Sequence, residues 1–204
     1  MKRLFLSSSF KDVANIFEEF ESGLKGKSVT FIPTASVVEK IVFYVKSGKK
    51  ALEKMGLVVD ELEISSASQE EIMEKLTKND YIYITGGNTF FLLQELKRSG
   101  AGKIIAEQVN NGKLFIGESA GAMIVSANIE YAQKLDSIKK APDLKNFESM
   151  GLVDFYPVPH HTNAPFKKSV EKILEQYESD LKLYPISNSQ AILVEDGSVT
   201  VKGD

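Results

Sequence analysis

Short apolar runs rich in Val, Ile, Phe and Tyr alternate along this chain with longer stretches of helical periodicity, and that alternation restricts the fold more than any other feature. Runs of this composition suit strands buried on both faces. They fall at residues 3–6, 28–33, 58–64, 81–85, 113–117, 155–158, 183–186, 191–194 and 199–201. Helix-like stretches occupy 13–22, 38–55, 69–76, 89–98, 103–110, 120–127 and 166–177. In the last of these, Phe166, Val170, Ile173, Leu174 and Tyr177 recur at three- and four-residue spacing and make one apolar face. Ser68, ahead of Gln69-Glu70-Glu71, supplies an N-cap with acidic residues in the first turn, where the helix dipole favours negative charge. Strand–helix alternation over the first two-thirds predicts βαβ units and a largely parallel sheet. The end differs: residues 183–201 hold three short strands with Asp196-Gly197 as a turn, which reads as an antiparallel hairpin added to the sheet edge. Without a repeat or a linker, the 204 residues are expected to form one domain, 1–204. The irregular stretch 128–149 is the longest break, and its length suits a functional loop.

Composition removes several chemistries. The chain has no cysteine, which excludes disulfides, iron–sulfur clusters and a thiolate nucleophile. Its two histidines, His160 and His161, are neighbours, too few for a His-based metal site, so no metal or cofactor is expected. Charges nearly cancel, 25 Lys+Arg against 28 Asp+Glu, and no basic run marks a nucleic-acid surface. The apolar stretch at the N-terminus is too short for a signal-peptide core, and no segment has the length to cross a bilayer. A cytoplasmic protein, monomeric or homodimeric, with no nucleic-acid or membrane partner, is the expectation.

Against that background one motif stands out. Gly117-Glu118-Ser119-Ala120-Gly121 follows the apolar run Lys113-Leu114-Phe115-Ile116 directly, a G-x-S-x-G at a predicted strand-to-helix junction. A nucleophile on so tight a turn has strained backbone angles and needs small neighbours, which Gly117, Ala120 and Gly121 provide. The Ala120 amide, opening the next helix, can then face a developing oxyanion. A serine hydroxyl needs a base. His160 and His161 end another apolar run, and strand carboxyl ends converge on the ligand crevice of open α/β sheets. Residue types alone do not choose between the two histidines. Thr85-Gly86-Gly87-Asn88-Thr89 also joins a strand to a helix: paired glycines expose backbone N–H groups, Asn88 can cap the helix, and Gly87 suits a second oxyanion donor. For the carboxylate that would orient the histidine, Asp136, Asp154 and Glu171 are the candidates.

Taken in order and spacing, Thr-Gly-Gly-Asn-Thr-Phe (85–90), Gly-Glu-Ser-Ala-Gly-Ala (117–122) and Pro-His-His-Thr-Asn-Ala (159–164) resemble the peptidase E (aspartyl dipeptidase) and cyanophycinase family of serine peptidases. The resemblance extends over most of the chain. It implies an α/β three-layer sandwich with a mostly parallel central sheet, class I glutamine amidotransferase-like (flavodoxin-like). It further implies Ser119 as nucleophile, His160 as base, Gly86, Gly87, Asn88 and Ala120 around the oxyanion and substrate, and Asp136 or Glu171 as the acid. One departure concerns specificity. A clamp on an N-terminal aspartate calls for arginine, and the chain has only Arg3 and Arg98, with Lys167 and Lys168 after the histidine motif. The expected function is hydrolysis of small peptides through a Ser-His-acid triad. An α/β esterase, or a pseudoenzyme that binds small peptides, are the alternatives.

Overall fold

The computed structural model describes residues 2–204. Seven strands form one mixed sheet in the order β3 (Val58–Glu61), β2 (Ser28–Ile32), β4 (Tyr81–Ile84), β5 (Leu114–Glu118), β1 (Arg3–Ser7), β8 (Gln190–Glu195) and β9 (Ser198–Gly203). The first five run parallel, whereas β8 and β9 are antiparallel to their neighbours. The expected C-terminal hairpin is β8–β9, and it extends the sheet beyond β1. Two short strands behave otherwise than expected. β6 (Tyr156–Val158) and β7 (Leu183–Pro185) pair with each other in a separate two-stranded sheet. Each is three residues long and each contains a proline, Pro157 or Pro185, which lacks the N–H a central strand must donate.

Alternation of side chains divides the core in two. Leu4, Leu6, Ile82, Ile84 and Phe115 face one side, packed against helices α3 (Gln69–Lys78), α4 (Thr89–Ser99), α5 (Ala101–Asn110), α6 (Ala120–Met123) and α7 (Lys167–Tyr177). Phe5, Val29, Phe31, Tyr83 and Ile116 face the other, beneath α1 (Ala14–Phe20) and α2 (Phe43–Lys54). The result is the three-layer sandwich. On the second face Phe5 packs edge-to-face with Phe10 at 6.0 Å and with Phe17 at 5.1 Å, locking the loop after β1 onto the sheet. Ser68 caps α3 as expected, accepting from the Glu71 amide at 3.1 Å. Stretch 38–55 becomes helical only at Phe43, and 120–127 only as far as Met123. Within 128–149, two 3-10 turns, Glu130–Lys134 and Ile138–Lys140, carry the loop across the carboxyl ends of the strands. No helix among the described residues is long and apolar enough to cross a membrane.

Because Phe5 is fully buried and joins the β1 strand to the loop that follows it, Phe5→Ala is expected to lower unfolding free energy by about 3–5 kcal/mol, read from urea denaturation.

Candidate active site

Ser119 lies immediately beyond β5, with φ 51° and ψ −106°, a region that L residues occupy at a cost of about 1–3 kcal/mol. Hydrogen bonds hold it there. Its amide donates to the Ser7 carbonyl at the end of β1 (2.8 Å), and its carbonyl accepts from the Ala122 and Met123 amides at 2.9 and 3.0 Å. The small residues of the motif have steric reasons. A Cβ on Gly117 would run into the Gly121 carbonyl, and one on Gly121 into the Ile84 carbonyl of β4. The elbow therefore forms only where β4, β5 and the start of α6 approach this closely.

His160 faces it from the loop after β6, also at positive φ (65°). Its amide donates to Ser8 Oγ at 2.9 Å, and Ser8 Oγ donates to the Ile186 carbonyl at 3.1 Å. The imidazole stacks on Phe166, with 4.6 Å between ring centres. Nε2 lies 2.9 Å from Ser119 Oγ, and Nδ1 lies 2.9 Å from Asn188 Oδ1. An amide oxygen can only accept, so Nδ1 carries the hydrogen and the Nε2 lone pair is left for the serine hydroxyl. Asn188 is fixed in turn: its amide donates to Asn163 Oδ1 at 2.8 Å, and the Asn163 amide donates to the His160 carbonyl at 3.0 Å. Burial pushes the His160 pKa below the usual imidazole value, against an opposing contribution from Asn188, so the ring is neutral at pH 7 and able to accept a proton. His161 takes no part in this pair; its amide donates to the Ile186 carbonyl at 2.9 Å.

None of the three candidate carboxylates bonds the imidazole. Asp136 Oδ2 accepts from the Thr89 amide (2.9 Å) and Thr89 Oγ1 (2.6 Å), so it braces the start of α4; burial pushes its pKa up to about 6, with the Thr89 bonds opposing. Glu171 is exposed on α7, and Asp154 is exposed with Lys182 3.4 Å away. The position is filled by Asn188, between β7 and β8. The reason is topological: β8 runs antiparallel to β1, which brings the segment before β8 to the end of β1 where Ser7 and Ser8 sit. The only trace in the sequence is the polar run Ser187-Asn188-Ser189 between two apolar runs.

The paired glycines meet the elbow from the β4 side. A Cβ on Gly86 would lie 3.2 Å from Ser119 Cβ, and Gly87, at φ 138°, passes so close to Ala35 that a Cβ would run into its carbonyl. Asn88 caps α4, accepting from the Phe91 amide at 2.9 Å; its own amide donates to the Ala35 carbonyl (2.8 Å) and its side-chain Nδ2 to the Ser137 carbonyl (3.1 Å). The Gly87 and Ala120 amides engage no acceptor among the described residues; Ala120 directly follows Ser119, and Gly86, which precedes Gly87, packs against it. Sequence reading missed Tyr44, whose ring comes within 3.6 Å of the Gly86 Cβ position. Burial, with Glu39, Glu118 and Asp136 nearby, holds that phenol protonated. Glu39 pairs with Lys140 at 2.7 Å. Both arginines are committed elsewhere, Arg3 to Glu21 and Glu195, Arg98 to Glu95. Among the described residues no group of three or more His, Asp and Glu is arranged to hold a metal ion.

A serine at a strained strand-to-helix elbow, in contact with a neutral, oriented imidazole beside unpaired backbone amides, defines a serine-type hydrolase. Residues 4–202 match the family model of peptidase family S51. An uncharacterized peptidase of Listeria innocua is 60% identical over 202 residues, 99% of this chain and 97% of that one. Peptidase E of a Nostoc species is 26% identical over 218 residues, covering 100% of this chain and 86% of the relative. A crystal structure from Listeria monocytogenes EGD-e, described as a candidate peptidase E, superimposes with a TM-score of 0.97 at 58% identity, over 100% of this chain and 98% of that one. The chain belongs to peptidase family S51 and is a serine-type peptidase.

Gly87→Ala moves the turn that presents one of the two free amides. It is expected to lower peptide hydrolysis by about 100-fold or more, while circular dichroism shows the fold retained.

Proposed function

We propose that the chain hydrolyses small peptides through an acyl-enzyme on Ser119, with His160 as general base and Asn188 in place of the usual acid. The observation that carries this reading is the 2.9 Å contact between Ser119 Oγ and His160 Nε2, made by two side chains that are each held at positive φ. Ser119 Oγ attacks the scissile carbonyl as its proton passes to Nε2, and the Gly87 and Ala120 amides take the oxyanion. The C–N bond then breaks and Nε2–H is given to the leaving amine. Water attacks the ester by the same route in reverse, releasing the acid and restoring Ser119. Asn188 keeps Nδ1 protonated and the ring aimed, as the asparagine of Cys-His-Asn peptidases does, but adds no charge to offset the imidazolium. Small substrates fit the surroundings. Phe166 stacks on the His160 ring and Tyr44 approaches the Gly86 turn beside Ser119, which leaves little room for a bulky substrate.

Ser119→Ala is expected to fold normally, to lose all peptide hydrolysis and to resist a fluorophosphonate reagent that labels the parent protein at Ser119. Turnover by that variant would exclude the covalent route. Neither arginine is free to clamp a carboxylate, and Lys140 is paired with Glu39. In a dipeptide library, substrates with N-terminal aspartate are therefore expected to be cleaved no faster than those with uncharged N-terminal residues. A strong preference for aspartate would show that a lysine, Lys140, Lys167 or Lys168, serves as the substrate's counter-charge.

A further inference from the structure

Glu118 sits beside the nucleophile, 3% exposed, and plays no part in the proton transfers above. Its carboxylate points away from the crevice into the layer beneath α1 and α2, where only donors meet it. Oε1 accepts from the Phe10 amide at 2.9 Å, and Oε2 accepts from the Tyr83 hydroxyl at 2.8 Å. These two donors belong to segments that build the site. Phe10 ends the Ser7–Phe10 stretch, in which Ser7 accepts from the Ser119 amide and Ser8 Oγ accepts from the His160 amide. Tyr83 belongs to β4, which leads into the Gly86–Gly87 turn.

We propose that Glu118 is a positioning residue for the hydrolysis: its ionised carboxylate ties the Ser7–Phe10 segment and β4, the strand that leads into the Gly86–Gly87 turn, to the elbow, so that Ser119, His160 and the oxyanion amides are aimed together. The inference rests on the serine-peptidase reading of the same site. A carboxylate has no hydrogen of its own and accepts from both donors. A neutral side chain at this position, protonated or amide, brings an extra hydrogen. With Tyr83 as its partner, one buried O–H or N–H is then left without an acceptor. Tyr83 from β4 bonds Glu118, and Tyr44 from α2 and the exposed Asp12 after β1 are the other titratable groups that act on it, through their charge. Burial, helped by Asp12, pushes Glu118 up to about 7, against the Phe10 and Tyr83 donors. Its ionised form is thus lost as pH falls through about 7, above the range in which His160, held below its usual value, takes up a proton.

The test is kcat and KM for a small peptide across about pH 5.5–9, for the parent protein, Glu118→Gln and Tyr83→Phe, with active sites counted by fluorophosphonate labelling and folding checked by calorimetry. In the parent, kcat is expected to fall on the acid side with a midpoint near the Glu118 value. In Glu118→Gln, kcat at pH 8 is expected to drop about tenfold with KM within about twofold, and the acid limb to move down to the His160 range. In Tyr83→Phe, which keeps the carboxylate but removes a donor that favours its charge, the limb is expected to move up in pH. A role confined to stability would lower the melting temperature and leave the limb in place. Unchanged limbs in both variants, or an unchanged kcat in Glu118→Gln, overturn the inference while labelling at Ser119 upholds the peptidase reading. If Glu118→Gln fails to fold, the direction of the Tyr83→Phe limb decides. Absence of labelling in the parent protein overturns the peptidase reading and this inference with it.

Discussion

The hydrogen bond from the Ser119 amide to the Ser7 carbonyl is the contact on which the site depends. Ser119 occupies a backbone conformation that an L residue leaves unless something over-determines it. Here the end of β5 is held against the end of β1, and the glycines at 117 and 121 let α6 and β4 close in without a clash. The same Ser7–Phe10 stretch receives the His160 amide through Ser8 Oγ. One short loop after β1 thus fixes the backbones of both Ser119 and His160, although 41 positions of chain separate them.

Electrostatically the site is built with little charge at the imidazole itself. Asn188 orients His160 without ionising, and burial keeps the ring neutral. The two buried carboxylates close by are directed into the frame: Asp136 onto the start of α4, Glu118 onto Phe10 and Tyr83. Both are pushed up by burial, and both are held by donors on the backbone of the segments around the crevice. A carboxylate pairing with the imidazole would have stabilised the imidazolium more strongly. It would also have placed a third buried acid among groups that already carry a desolvation penalty.

Much of the architecture was legible because it follows from periodicity. Alternating apolar runs and amphipathic stretches specify strands, helices and a parallel sheet, and Asp196-Gly197 specifies the hairpin that β8 and β9 form. β6 and β7 were legible as strands but not as a separate sheet, since pairing partners are not a local property. Helix starts were less legible, because in 38–55 the apolar pattern continues past the point at Phe43 where backbone hydrogen bonding begins. The elbow at Ser119 and the Gly86–Gly87 turn were legible for a steric reason. Tight turns between a strand and a helix demand glycine at particular offsets, and that demand is written in adjacent residues.

What the sequence determined by itself is therefore what neighbours along the chain enforce: the elbow at Ser119, the tight glycine turn at 86–87, the strand–helix order and the absence of any thiol. What only the tertiary structure decided is which groups meet across the chain. Asn188, rather than Asp136 or Glu171, faces His160 because the antiparallel placement of β8 beside β1 carries the loop before β8 to the mouth of the sheet. Glu118 turns into the core because the elbow rotates Ser119 outward and residues alternate across a strand. Such contacts depend on strand order and register, which arise from packing the whole sheet and leave no mark at a fixed spacing in the sequence.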